Sequence, residues 1–181
     1  METKDYLAYV VKQIHTTIVA TVDDEGLPVT AAIDMMDSDD DSLYFLTAKG
    51  KGFYDRLVKR GFLAFTAMKG EDTLSSVAVS IRGKVRELGY GKIPELLEKN
   101  PYMYKIYPTE KARQALTAFQ IYEGTGEWFD LSKSPSNARP SPSAVLKRSG
   151  KVSLSQMHAQ AVALVPLSVP KTASVRKAFL L

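Results

Sequence analysis

Leu7, Val10, Val11 and Ile14 recur at helical spacing, which predicts a first helix with Thr3 as its N-cap and His15 closing it. The period then changes. Thr17 to Val22 is rich in β-branched residues, Asp23-Asp24-Glu25-Gly26 supplies a turn, and Pro28 to Met36 reads as the return strand of a hairpin. Pro28 stands at that strand's start, where a missing N–H does least harm. An acidic loop over 37–41 precedes a strand over 42–47, and Lys51 to Arg60 reads as a helix with Phe53, Leu57, Tyr54 and Val58 facing inward. Strands follow over 62–68 and 74–88, the second with Val77, Val79 and Ile81 alternating with small or polar residues. Short helices over 93–99 and 109–115 flank an aromatic stretch, Tyr102 to Tyr107, before a last strand over 116–131.

This order is not a regular β-α alternation, so a doubly wound parallel sheet is disfavoured. A mainly β domain fits better, with antiparallel strands closing into a small barrel and accessory helices over its ends. The pattern breaks after Pro135. Residues 136–181 hold one aromatic residue, Phe179, and are rich in Ser, Pro, Ala and Val. We therefore expect a barrel domain over 1–135 and a basic tail over 136–181. The tail reads either as an extension with little fixed structure or as an ending produced outside the natural reading frame.

Composition narrows the chemistry. The 181 residues include no cysteine, which removes disulfides, thiolate nucleophiles and cysteine-ligated metals. No apolar run approaches the roughly 18 residues that a bilayer demands, and the polar start Met1-Glu2-Thr3-Lys4-Asp5 lacks a secretory core. A cytoplasmic protein without a membrane partner is the expectation. The net charge of +4 hides an asymmetry: residues 1–135 carry 17 basic and 20 acidic residues, whereas 136–181 carry seven basic residues and no acid. An acidic body gives no support to nucleic-acid binding.

One segment carries candidate chemistry, Tyr44-Phe45-Leu46-Thr47-Ala48-Lys49-Gly50-Lys51-Gly52-Phe53-Tyr54. A strand ends in a hydroxyl residue, a tight loop brings two lysines and two glycines, and a helix begins at once. Amides at a helix start lack acceptors, the helix dipole adds positive charge, and glycines admit close approach. Lys49 and Lys51 can neutralise a dianion and Thr47 can donate its proton, so the segment can cradle a phosphate. Two lysines beside a turn are equally compatible with a solvated face. The spacing matches neither a nucleoside triphosphate loop nor a dinucleotide fingerprint.

Taken together, Pro28-Val29-Thr30-Ala31-Ala32-Ile33-Asp34, the strand–loop–helix and Ser80-Ile81-Arg82-Gly83-Lys84-Val85-Arg86-Glu87-Leu88 resemble the pyridoxamine 5′-phosphate oxidase-like, flavin mononucleotide (FMN)-binding split-barrel family. The resemblance spans about residues 5–131. It implies a Greek-key split β-barrel and a homodimer with FMN at its interface. By position, the strand Thr30 to Asp34, with Thr30, Ala31, Ala32 and Ile33, would run beside the flavin ring, and Thr47 and Ala48 would lie near the ribityl chain and ring. Lys49, Lys51 and Gly52 would hold the phosphate, and Trp128, the only tryptophan, would close over the flavin from the partner. Plain core packing of Ala31 and Ala32 and an interface role for Trp128 stay open, as does a surface role for Arg82 and Lys84.

The resemblance implies an FMN-dependent oxidoreductase that passes electrons from a reduced donor such as NAD(P)H to a small acceptor. A non-catalytic flavin or haem binding or storage protein is the alternative. Activity on pyridoxamine phosphate itself is not expected, because the late arginine–histidine motif of the true oxidase has no counterpart; the only histidines are His15 and His158. Asp37, Asp39 and Asp41 imitate a calcium loop but lack its Gly and its closing Glu, and no nucleophile elbow or zinc spacing occurs.

Overall fold

The structure, a computed structural model, describes residues 2–132 and the backbone of 144–146. The expectations for the rest of the tail lie outside the described residues. The chain begins with α1 (Thr3–Tyr9) and a π-helical turn (Val10–Ile14). The N-cap is Glu2 rather than Thr3, and its amide donates to Asp5 Oδ2 at 2.7 Å. A short acidic residue three positions on can satisfy that amide, which a cap at Thr3 would have left free. Then come β1 (Thr16–Val22), β2 (Pro28–Asp34), β3 (Asp37–Ser38), β4 (Leu43–Ala48), α2 (Gly52–Arg60), β5 (Phe62–Lys69) and β6 (Val77–Gly89). A 3-10 turn, α3 (Ile93–Lys99), α4 (Met103–Ile106) and α5 (Glu110–Gln114) lead to β7 (Leu116–Asp130) and β8 (Ala144–Leu146).

All strands join one antiparallel sheet in the order β2-β1-β5-β6-β7-β4-β3, with β8 paired to β7. The sheet thus takes in three residues beyond position 135. It curls into a split barrel, because residues from across the sheet meet in one core: Val19 of β1, Phe45 of β4, Leu63 and Phe65 of β5, Val79 and Ile81 of β6, and Phe119 and Ile121 of β7. A flat sheet could not bring β1 and β4 side chains together across three intervening strands. The pairing of β6 and β7 slips register between Glu87 and Gly89 and between Lys84 and Val85, and slips of this kind bend a strand. Beside the second of these the strands approach so closely that a Cβ on Gly124 would stand 2.4 Å from the Arg82 carbonyl oxygen.

Strand β4 is buried on both faces, which explains its unbroken apolar run. Leu43 and Phe45 enter the barrel, where Phe45 stacks on Phe119 at 5.6 Å. Tyr44 and Leu46 face a second core with Ile93, Leu96 and Leu97 of α3 and Met103 of α4. Helix α2 buries Phe53 and Leu57, while Val58, expected inside, is 55% exposed. One further residue at 100° per step takes Val58 off the Phe53–Leu57 stripe. Helix α2 ends at Gly61, which adopts the left-handed conformation and donates to Leu57 O at 2.9 Å. Among the described residues no helix is long and apolar enough to cross a membrane.

Candidate functional site

Where β2 and β4 end beside the start of α2, the structure leaves a cleft of about 230 Å³. Ala32 and Asp34 come from β2, Leu46, Thr47 and Ala48 from β4, and Lys51 from the N-cap of α2. Met103 and Ile106 of α4 and Tyr107 close it. The walls are mostly apolar, and the charged groups lining the cleft are Asp34 and Lys51. Such a site suits a flat, largely apolar ligand with one anionic group.

The turn that delivers Lys51 has a local cause. Ala48 is the last residue of β4, but the amide of Lys49 still bonds to Ala115 O at 2.8 Å, continuing the ladder toward β7. Gly50 then takes a left-handed conformation (φ 82°), which an L side chain rarely adopts, and reverses the chain. Lys51 resumes extended backbone (φ −92°, ψ 141°) as the cap, with no side-chain cap bond at the helix start. No hydrogen bond or ion pair engages its ammonium among the described residues.

The structure brings together five of the ten residues singled out in the sequence: Ala32, Ile33, Thr47, Ala48 and Lys51 line this cleft. Thr30 lies two residues back on the same face of β2 as Ala32 and opens onto a shallow depression of about 400 Å³ outside β1, β5, β6 and β7. Ala31 and Ile33 alternate with these and pack against the barrel core, as the two-residue period of a strand requires, and Ile33 also reaches the edge of the cleft. Lys49 turns from the cleft toward β6, its ammonium 3.6 Å from Glu87 Oε1, an oxygen that also accepts from Thr117 at 2.6 Å. Gly52 lies in a separate depression with Asp55 and Arg56. Trp128 packs on Tyr6 and Tyr9 of α1, with ring centroids 5.1 and 4.9 Å away.

Sequence reasoning put Asp34 on the strand beside the ring but missed the polar group that gathers around it on the cleft wall. Asp34 accepts from Thr16 Oγ1 (2.7 Å) and from the Tyr102 hydroxyl (2.6 Å), and His15 Nε2 lies 2.8 Å from that hydroxyl. Burial works against ionisation of Asp34, but the bonds from Tyr102 and Thr16 and the neighbouring imidazole outweigh it and hold the carboxyl below its usual range. Burial, and then the bond to Asp34, push the Tyr102 phenol well above the ordinary tyrosine value. No spacing rule could have joined His15 to Tyr102, which are 87 positions apart. The acidic loop, by contrast, is structural: Asp37 pairs with Lys99 at 2.7 Å and Asp39 accepts from Tyr44, whose phenol burial and that carboxylate push up to about 12.

Residues 3–133 match the model of the family described as pyridoxamine 5′-phosphate oxidase. The chain belongs to that family. Solved structures of the same fold include a NimC/NimA family protein from Clostridium acetobutylicum, 14% identical over 80% of this chain and 93% of that one, with a TM-score of 0.62. A protein related to general stress protein 26, of the pyridoxinephosphate oxidase family, from the same organism is 16% identical over 73% of this chain and 93% of that one, with a TM-score of 0.56. A heme binding protein from Mycobacterium smegmatis is 11% identical, covers 80% of this chain and 58% of that one, and has a TM-score of 0.61. At these identities the likeness speaks for the shared split-barrel fold alone. No curated protein sequence matches the chain.

Proposed function

We propose that the cleft binds FMN and that the protein is an FMN-dependent oxidoreductase, taking electrons from a reduced nicotinamide and passing them to a small acceptor. The observation that carries this reading is Lys51, whose ammonium makes no hydrogen bond or ion pair among the described residues and which stands at a helix start on the wall of a mostly apolar cleft. Its ammonium and the acceptor-free amides at the start of α2 form a phosphate site. Ala32 and Ala48 leave room for a flat ring, and Leu46, Met103 and Ile106 offer it apolar contact. When bound, FMN supplies reversible acceptance of a hydride equivalent; the protein binds it, orients it and keeps water from it. No nucleophilic side chain is required.

A homodimer would complete the site. Ile18, Phe62 and Met68, on the outward faces of β1 and β5, are 54, 46 and 65% exposed and flank the depression that Thr30 opens onto. Such a surface is a candidate for a second copy of the chain. In that assembly Trp128, held by Tyr6 and Tyr9, is the partner-side residue we assign to cover the ring.

Freshly purified protein should show the near-visible absorbance of oxidised flavin and lose it under anaerobic NAD(P)H. Colourless protein that takes up no added FMN would overturn the reading. The similarity to a heme binding protein supports a second reading, a flavin or haem storage protein without turnover. Yellow protein that stays oxidised under the same anaerobic donor would favour storage over electron transfer.

A further inference from the structure

Asp34 ends β2 and lines the cleft, with 31% of its side chain exposed. The donors around it come from two distant parts of the chain, the adjacent pair His15 and Thr16 and, far along the sequence, Tyr102. Thr16, at the start of β1, gives its proton to Oδ1; Tyr102, just before α4, gives its proton to Oδ2; His15 Nε2 lies 3.5 Å from that same oxygen. Because Tyr102 donates to Asp34, its own oxygen is left to accept from His15. The imidazole must therefore carry a proton on Nε2, and the line of donation runs His15 to Tyr102 to Asp34.

His15 is held there at a conformational cost. Its backbone (φ 69°, ψ −67°) is the one positive φ outside glycine among the described residues, and it has the geometry of a strained γ-turn. The amide of His15 bonds to Val10 O at 2.7 Å, and its carbonyl accepts from Met35, the residue after Asp34, at 2.8 Å. Both ends of the strained residue are thus tied down, one of them beside Asp34. Strain of this kind persists where surrounding structure over-determines it, and it collects at functional positions.

A carboxylate offers about four acceptor positions. Two short bonds and one long contact leave Asp34 with acceptor capacity on the cleft wall. We propose that Asp34 is the specificity-determining acceptor of the cleft: it takes a hydrogen bond from a ring N–H of the ligand, the imide edge of a flavin's pyrimidinedione, and disfavours rings that bring carboxylates of their own. Tyr102 and His15 are positioning residues that aim it. The proposal rests on the flavin reading above, and it sorts between the ligands that reading leaves open. A flavin presents one N–H between two carbonyls, whereas a haem presents two propionates that an ionised Asp34 repels.

The test measures dissociation constants of the full chain for FMN, riboflavin, haemin and 3-methyl-FMN, in which a methyl group replaces the imide proton. Wild-type protein should bind FMN about 10- to 100-fold more tightly than 3-methyl-FMN, the usual worth of a hydrogen bond to a charged group. Asp34→Ala, which removes the acceptor, should erase most of that ratio and tighten haemin binding, while the FMN-to-riboflavin ratio, set at the phosphate, stays constant. Tyr102→Phe keeps the carboxylate and loosens its aim, so it should shrink the methyl discrimination severalfold and spare the phosphate ratio. Wild-type protein that binds FMN and 3-methyl-FMN equally, or an Ala variant that still tells them apart as wild type does, would overturn the role of Asp34 and leave the flavin reading standing. Wild-type protein that binds neither FMN nor riboflavin would overturn both.

Discussion

Replacing Lys51 separates ligand binding from folding more cleanly than any other change in the cleft. Its ammonium makes no hydrogen bond or ion pair among the described residues, so Lys51→Ala breaks no internal contact. A charge-assisted bond to a phosphate contributes roughly 1.5–3 kcal/mol, so FMN affinity should fall about 10- to 150-fold. Lys51→Glu adds repulsion, which solvent screens at this exposed position, and the loss should exceed that of the alanine variant. The same carboxylate at the start of α2 meets the positive end of the helix dipole. Stability should therefore stay level or rise by roughly 0.3–1 kcal/mol. Riboflavin, without the phosphate, should bind both variants within about threefold of wild type, a difference of roughly 0.6 kcal/mol. Flavin fluorescence quenching gives the affinities and urea midpoints give the stability. Equal losses for FMN and riboflavin would refute the phosphate role of Lys51. A fall in the urea midpoint would show that the side chain supports the fold.

Three further outcomes follow from the geometry. His15→Ala loses the bond to Tyr102 but keeps the strained backbone, whereas His15→Gly loses both, so the glycine variant should be the more stable by about 1–2 kcal/mol; an alanine variant as stable as glycine would remove the case for strain. Because the carboxyl of Asp34 is lowered in the folded state, its contribution to stability is complete above the ordinary carboxylate range and drains away as pH falls toward the lowered value. Asp34→Asn should flatten the loss of urea stability between roughly pH 5 and 3, and an unchanged acid limb would contradict that sign. Phe45, fully buried between Phe119 and Phe53, should cost about 3–5 kcal/mol when cut to alanine; a loss below roughly 1.5 kcal/mol would mean that the barrel centre is not close-packed.

How far the chain could be read before its structure depended on where each signal was local. The alternation of Val77, Val79 and Ile81 and the Phe53–Leu57 stripe are period signals, and β6 and α2 form where those periods predict. The β1–β2 hairpin announced itself in Asp23, whose side chain accepts from the amides of Glu25 and Leu27 at 3.0 and 2.8 Å. Helix α4 was hidden, because an aromatic stretch between Pro101 and Pro108 has no period of its own, and Met103 is buried by α3 and β4 rather than by its local pattern. The Asp34 group was hidden for the same reason at longer range: curling of the sheet, not sequence spacing, brings the end of β2 against the segment before α4.

The two adjacent alanines and the two lysines of the loop show why residue type alone misassigns a site. Ala31 and Ala32 are chemically identical, yet the pleat of β2 sends one into the barrel and the other into the cleft. Lys49 and Lys51 looked like a joint phosphate clamp, but Lys49 is still part of the β4–β7 ladder through its amide, and that register sets its side chain beside Glu87. Gly50 separates them by reversing the chain, and only beyond it does Lys51 reach the cleft. On the proposed phosphate reading, what the loop can offer an anion depends less on how many lysines it carries than on which side of a left-handed glycine each one falls. Gly50→Ala, which keeps both charges and opposes that turn, would disturb the cleft more than Lys49→Ala, which removes one.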